Sequence, residues 1–331
     1  MGTDTDDPGA GAWYVSFHGG DGDHARNNLH RYANDGTHLG KALRGGGLPR
    51  GLKLRELRGF VFGPDGDLYV ANAFKDESQI LRFGGSPDDG GRHPFREVFV
   101  RQRHADLGLA HPFSATFGPG GHLFVPSQDS DIVGRYYGPR TAGPDAAAIP
   151  GRPMPHPAAL SGIDADRLAP GTFVPSVRRA ADGLRAVRHA IFADGDDLFV
   201  ADRAENAVKR YDRESGALKR TYRHRLLQAP VHLLRWPERG ALLVGSRDRD
   251  AVVALDLEQG DARDVVAPGA GGLDAPSGIA WGPDGLLVVG SRGNRAVLRF
   301  DPESGRTAAP LLTALPDHPE FVRWLSPPAG R

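Results

Sequence analysis

Short apolar runs, each broken by a tight polar turn, recur along this chain at near-constant spacing. LRGFVFGPDGDLYVAN (57–72), PFSATFGPGGHLFVPS (112–127), VRHAIFADGDDLFVAD (187–202), VHLLRWPERGALLVGS (231–246) and PSGIAWGPDGLLVVGS (276–291) are copies of one pattern. Each is an apolar strand, a turn rich in Gly, Asp and Pro, and a second strand of β-branched and aromatic residues, which predicts a β-hairpin. Aligned on their anchor aromatics Phe62, Phe117, Phe192, Trp236 and Trp281, the last three copies lie about 45 residues apart, the length of one four-stranded propeller blade. A third strand follows each hairpin: ILRF (80–83), IVGRY (132–136), AVKRYD (207–212), AVVALD (251–256) and AVLRFD (296–301). In the last three copies it leads through Glu214-Ser215-Gly216, Glu258-Gln259-Gly260 or Glu303-Ser304-Gly305 toward a fourth, more polar outer strand. Alternation without helical periodicity excludes a βαβ fold.

The chain ends supply the blade that the hairpins leave incomplete. WYVSF (13–17), LHRYA (29–33) and HLGKAL (38–43) read as strands two to four, and Glu320-Phe321-Val322-Arg323-Trp324-Leu325 reads as the missing innermost strand, with Trp324 as its anchor. The expectation is an all-β, six-bladed β-propeller over residues 1–331, closed by pairing 320–325 with 13–17. The Phe117–Phe192 interval is too long by about 30 residues, so residues 139–170, dense in Pro, Ala and Gly, are expected as an insertion in blade three. It should lie on the face of the third-to-fourth-strand turns, either as plain surface or as a lid or docking segment.

In a propeller the starts of the innermost strands and the ends of the second strands meet at one channel mouth. The anchor alignment places Arg58, Phe113, Arg188, His232, Ser277 and Glu320 at the first position, and Asn72, Ser127, Asp202, Ser246, Ser291 and Phe17 at the second. Converging arginines repel unless a carboxylate or a bound anion offsets them, which points to a carboxylate or phosphate-ester substrate. On this reading Arg58, Phe113, Asn72, Asp202, Ser277 and His111 bind it, and His232, Glu320 and Arg188 do the chemistry. His232, kept neutral by the arginines, is the expected base. Strand alternation lets only one of Arg188 and His189 face the channel, and the alignment favours Arg188. The competing reading is a plug in which Arg58 and Arg188 pair with Asp202 and Glu320. Asp21, Asp23, His18 and His24 have metal-ligand chemistry, but their Gly-rich run matches no firm spacing and reads as a solvated loop. His318 and His111 each precede a proline at the rim, and Arg44, Arg50, Arg55, Arg101 and Arg103 suit either a ligand or a protein partner.

Charge and composition narrow the function classes. Lys+Arg and Asp+Glu both number 41, so no net charge draws the chain to nucleic acid or to an anionic membrane. The absence of cysteine removes disulfides, thiol nucleophiles and thiolate metal sites. The acidic start Met1-Gly2-Thr3-Asp4-Thr5-Asp6-Asp7 has no secretory-signal pattern and no apolar run is long enough to span a bilayer, so a cytoplasmic protein without membrane or cofactor is expected. Heavy use of Arg, Ala, Gly and Pro suits a GC-rich bacterial genome.

The repeated FGPDG-L-x-V-A-[ND] hairpins between residues 57 and 301 resemble the NHL-repeat and SMP-30/gluconolactonase-like six-bladed propellers. That resemblance implies the fold and a choice among lactone hydrolases, streptogramin-type lyases, peptidylglycine amidating lyases, strictosidine synthase-like enzymes and plain binding modules. The gluconolactonase-like metal site implies Glu, Asn and Asp at the starts of the innermost strands. Glu320 matches its Glu, whereas Arg188, His232 and Ser277 stand where oxygen ligands are wanted. Of the several histidines implied by the amidating-lyase zinc site only His232 matches, and the streptogramin-lyase pattern of two histidines and a glutamate is incomplete. The expectation is therefore a metal-independent lyase, isomerase or hydrolase acting on an anionic small molecule, with bacterial secondary metabolism as one setting for it. The alternative is a non-catalytic ligand- or protein-binding propeller.

Overall fold

The computed structural model describes residues 11–19, 26–74, 78–101, 108–140, 145, 147–193, 195 and 197–325. Six antiparallel sheets form the blades, and blade one takes its innermost strand, Pro319–Leu325, from the end of the chain and its other three, Ala12–Phe17, Leu29–Tyr32 and His38–Lys41, from the beginning. The junction runs in register Trp13↔Trp324, Tyr14↔Arg323, Val15↔Val322 and Ser16↔Phe321, with the Trp13 and Trp324 rings edge to face at 5.4 Å. Six apolar clusters fill the six interfaces between neighbouring blades, that between blades six and one included, so the ring closes through packing as well as through pairing. No helix among the described residues is long and apolar enough to cross a membrane.

Polar side chains tie each blade to the next at the mouth. Residues just before the third strands adopt positive φ, as at Asn206 (51°) and Asp250 (52°), a conformation these short polar residues tolerate. Their side chains then accept hydrogen bonds from the chain entering the following blade: Ala229 N to Asn206 Oδ1 at 2.8 Å and Ala275 N to Asp250 Oδ1 at 2.7 Å. Asn27 does the same for Glu56 N at 2.9 Å. These bonds hold the starts of the innermost strands, where the channel side chains are borne.

Two blades depart from the expected pattern. Blade six has three regular strands; its outer segment follows the third through the isolated bridges Phe300↔Thr307 and Val297↔Leu312 and bonds such as Ala308 N to Arg299 O at 2.8 Å, and Pro310, which has no N–H, lies within it. In blade three the long segment first runs back along the third strand, Tyr137 N donating to Arg152 O at 2.9 Å and Met154 N to Arg135 O at 3.0 Å, before Thr172–Val174 completes the sheet. It also reaches the third-to-fourth-strand turn of blade four through Ala159 N to Ser215 O at 3.0 Å, so it lies on the expected face.

Candidate active site

The innermost strands carry a β-bulge where they enter the ring. The pairing skips from Leu57↔Asn72 to Phe60↔Val70, from Val187↔Asp202 to Ala190↔Val200, from Pro230↔Ser246 to Leu233↔Val244 and from Pro276↔Ser291 to Ile279↔Val289. A bulge places two consecutive residues opposite one, which suspends strict alternation. Both Arg188 and His189 therefore reach the channel, correcting the expectation that only one of them could. The register also moves His232. The hairpin turn of blade five is one residue shorter, with Trp236 opposite Ala241 where Phe62 lies opposite Leu68, so aligning on Trp236 misplaces the strand by one. Val231 stands level with Arg58 and Arg188, and His232 stands one layer deeper with His189 and Phe321.

The first layer forms a chamber of ≈ 200 Å³ at the mouth. Arg58, Phe113, Arg188, Ser277 and Glu320 line it as expected, His232 reaches it from the layer below, and Arg203, Arg247, Arg292, Gln128 and His18 join them. The three added arginines follow directly on the last residue of a second strand, in VAD-Arg203, VGS-Arg247 and VGS-Arg292. Listing one position further along each hairpin would have found them. The chamber thus assembles five guanidinium groups around a single carboxylate.

Glu320 is the hub of the chamber and is 5% exposed. It accepts from Arg58 Nη1 at 2.6 Å and Arg292 Nε at 2.9 Å, and lies 3.1 Å from His18 Nδ1. Burial alone would raise its pKa; Arg58, the His18 hydrogen bond and Arg292 override that and hold it well below the usual carboxylate range. Arg58 also pairs with Glu56 at 2.5 Å, and His111 supports that pair from outside the chamber, its Nε2 lying 3.6 Å from Glu56. Burial first, then Arg58, pulls the His111 pKa down.

The opposite side of the chamber has no direct ion pair, although Asp131 partly offsets Arg188, and Asp248 and Glu320 partly offset Arg247. Among the described residues no carboxylate pairs with Arg188, Arg203 or Arg247; Arg188 donates only to Val187 O, at 2.7 Å, and lies over the Phe113 ring at 6.0 Å. Burial, and then the charges of Arg203, Arg247 and Arg58, push the Arg188 pKa down to about 10. Burial with Arg203 and Arg292 likewise lowers Arg247.

Asn72 and Asp202 do not reach the chamber. Both are fully buried and spent on the loop that enters their own blade: Asn72 accepts from Arg55 N and donates to Lys53 O, at 2.8 and 3.1 Å, and Asp202 accepts from Arg185 N and Ala186 N, at 3.0 and 3.1 Å. Asp202 takes Lys209 as its ion-pair partner at 3.0 Å, so its expected pairing with Arg188 is replaced, while that of Arg58 with Glu320 is present. Ser246 and Ser291 occupy the same strand position and bind the same loop, which makes this a structural device of the repeat. His318 binds Arg292 O through Nδ1 at 2.7 Å. Asp21, Asp23, His24 and Arg103 lie outside the described residues.

Beneath the chamber an aromatic plug divides the channel. The His232 ring lies 4.3 Å from Phe321, 5.0 Å from His189 and 5.4 Å from Phe113. Gly278 lets the closing strand that carries Phe321 approach, since a Cβ there would stand 2.5 Å from Val322 N and 2.8 Å from Phe321 Cα. His232 is 2% exposed and, among the described residues, neither ring nitrogen has a hydrogen-bond partner. Burial drives its pKa down to about 3, Glu320 opposing and Arg323 assisting.

Neither a protein-family model nor a curated protein sequence matches the chain. Solved structures similar to it include the periplasmic gluconolactonase of Pseudomonas aeruginosa, at 17% identity and TM-score 0.54, over 96% of this chain and 99% of that one. A nidogen/laminin complex is similar at 12% identity and TM-score 0.62, over 96% and 99%. Virginiamycin B lyase from Staphylococcus aureus is similar at 12% identity and TM-score 0.51, over 89% and 82%. The resemblance to NHL-repeat and SMP-30/gluconolactonase-like propellers therefore holds at the level of the fold, and propellers of this kind include lactonases and lyases. The metal site implied by the gluconolactonase-like resemblance does not fit these residues. Arg58, Arg188 and Ser277 stand beside Glu320 at the mouth, and a divalent cation there would meet five guanidinium groups.

Proposed function

We propose that this protein is an enzyme of the lyase, isomerase or hydrolase type that acts, without a metal, on a small molecule bearing a carboxylate or phosphate group. The observation that carries this reading is the chamber of five arginines around one carboxylate, with Arg188, Arg203 and Arg247 lacking an anionic partner. A bound anion relieves their mutual repulsion, and the planar guanidinium fork matches carboxylate and phosphate oxygens in pairs. Nothing of comparable charge is needed to close a propeller channel.

The proton-transfer role passes from His232 to His18. A base with a pKa near 3 gains little from proton transfer at neutral pH, and His232 lies within the plug. His18 keeps a side-chain exposure of 40% and stands at the chamber wall beside Glu320. His18 Nδ1 lies 3.1 Å from Glu320 Oε1, which can only accept, and 3.2 Å from Arg292 Nη2, which can only donate; in the tautomer that donates from Nδ1 to Glu320, Nε2 retains the lone pair that takes a substrate proton. Glu320 thereby orients His18 while balancing Arg58 and Arg292. Such a dyad serves abstraction of a proton beside an acid group or activation of a water molecule.

Non-catalytic binding is the second reading, favoured by the small chamber and by the burial of Arg58 to 5% exposure. Thermal-shift screening with phosphate monoesters and carboxylic acids, followed by product analysis of each stabilising compound, separates the two. The enzyme reading expects His18→Ala to keep ligand affinity and lose turnover. Ligands recovered unchanged from prolonged incubation with the wild type assign the chamber to binding alone, and a lack of any anion-dependent stabilisation refutes both.

A further inference from the structure

We propose that the opposite end of the channel is a second ligand site, for a flat aromatic molecule carrying one carboxylate. The plug of Phe113, His189, His232 and Phe321 lies between this site and the mouth chamber, and His232 lines both. The second site opens on the face of the first-to-second-strand turns as a cavity of ≈ 1010 Å³, against ≈ 200 Å³ at the mouth.

Its walls are the anchor aromatics that the repeat pattern marks as blade packing. Phe117, Phe192, Trp281 and Trp324 each stay partly exposed to the cavity, with Trp236 beside Trp281 at 5.8 Å between ring centroids. Aromatic rings leave faces and edges open to an aromatic guest, which is worth more there than an aliphatic one. A volume of this size suits a small-molecule ligand.

Of the two arginines that line this funnel, Arg235 is exposed and Arg323 only partly so. Arg323 occupies a channel layer whose other members, Val61, Thr116, Ile191, Leu234 and Ala280, are uncharged. Among the described residues it has neither an ion-pair nor a hydrogen-bond partner, and burial lowers its pKa. The carboxylates of the cavity, Glu238 and Glu303, are at its exposed rim, and Glu303 is engaged by Arg239 at 2.6 Å. The floor is His232, whose two unpartnered nitrogens are a buried donor and a buried acceptor without use in the fold. A single guanidinium fork at depth, flanked by a neutral imidazole and ringed by aromatic faces, matches one carboxylate on a flat apolar body.

Intrinsic fluorescence reports on the cavity directly, because Trp236, Trp281 and Trp324 line it and the chain has 4 tryptophans in all. The full-length protein is titrated with 2-naphthoate and with the neutral isostere 2-naphthylmethanol. Saturable quenching is expected, with the alcohol roughly 10- to 100-fold weaker, the share a charge-assisted hydrogen bond contributes. Arg323→Met should abolish that preference, Arg323→Lys should retain part of it, and Arg188→Met, at the other mouth, should leave it unchanged. Equal affinity for acid and alcohol in the wild type, loss of the preference in Arg188→Met, or no saturable quenching overturns the proposal. The wild-type ratio and the lysine variant decide the matter even if Arg323→Met does not fold.

Discussion

Replacing Glu320 by Gln tests the electrostatic account of the mouth most directly. The carboxylate is 5% exposed and binds Arg58 at 2.6 Å, Arg292 at 2.9 Å and His18 at 3.1 Å, so its loss leaves buried cations without their anion. Breaking a buried pair from one side costs about 3–5 kcal/mol. Arg58 keeps Glu56 at 2.5 Å, and Arg292 and His18 retain side-chain exposures of 25% and 40%, which places the loss at the lower end. A loss of about 3 kcal/mol at neutral pH lowers Tm by about 4 °C for 331 residues, given about 2.1 cal/mol/K of unfolding entropy per residue. The pH dependence supplies an independent signature. The folded carboxyl titrates below its ordinary value of 4.5, so its stabilisation is complete above 4.5 and disappears as pH falls from there through the folded value. Urea denaturation of wild type and Glu320→Gln, at neutral pH and near the acid limit of solubility, should therefore show a gap that narrows on acidification. A variant within about 0.5 kcal/mol of wild type at neutral pH, the ordinary effect of a surface change, refutes the hub role of Glu320.

Three further outcomes follow from the same geometry. Ending the chain at His318 removes the innermost strand of blade one, including the buried Phe321 and Val322; those two side chains alone are worth ~3–6 kcal/mol, and insoluble or unfolded protein is expected, whereas a soluble chain with unchanged Tm would remove the closing strand from the fold's support. His232→Leu relieves two buried unpartnered nitrogens and should stabilise the protein most in mild acid. With the folded pKa near 3 and the unfolded value at 6.5, wild-type stability falls with pH below 6.5 until the folded group titrates, by about 2 kcal/mol at about pH 5, and urea titrations of the variant should lack that loss. Arg203→Met combined with Arg247→Met removes two unpaired cations from the chamber; thermal shift should show higher stability without phosphate and weaker stabilisation by phosphate, and an unchanged phosphate response would exclude these arginines from anion binding.

The blade count and the ring closure were legible in the sequence because they rest on local signals repeated many times: alternation, turn residues and the apolar run at 320–325. All six first-ring residues, Arg58, Phe113, Arg188, His232, Ser277 and Glu320, line the mouth chamber as the same alignment placed them. The depth of His232 was not legible, for it depends on a hairpin one residue shorter, and pairing register is a property of two strands. The partners of Asp202 and Asn72 were equally out of reach, because a fully buried polar group binds whatever the fold brings to it, here a loop backbone and Lys209. Arg203, Arg247 and Arg292 stood in plain repeat positions, yet only the tertiary ring turns those positions inward toward one carboxylate. Sequence determined the ring because strand and turn preferences act locally. The site was decided by tertiary structure, because charges from five separate blades acquire meaning only through the distances between them.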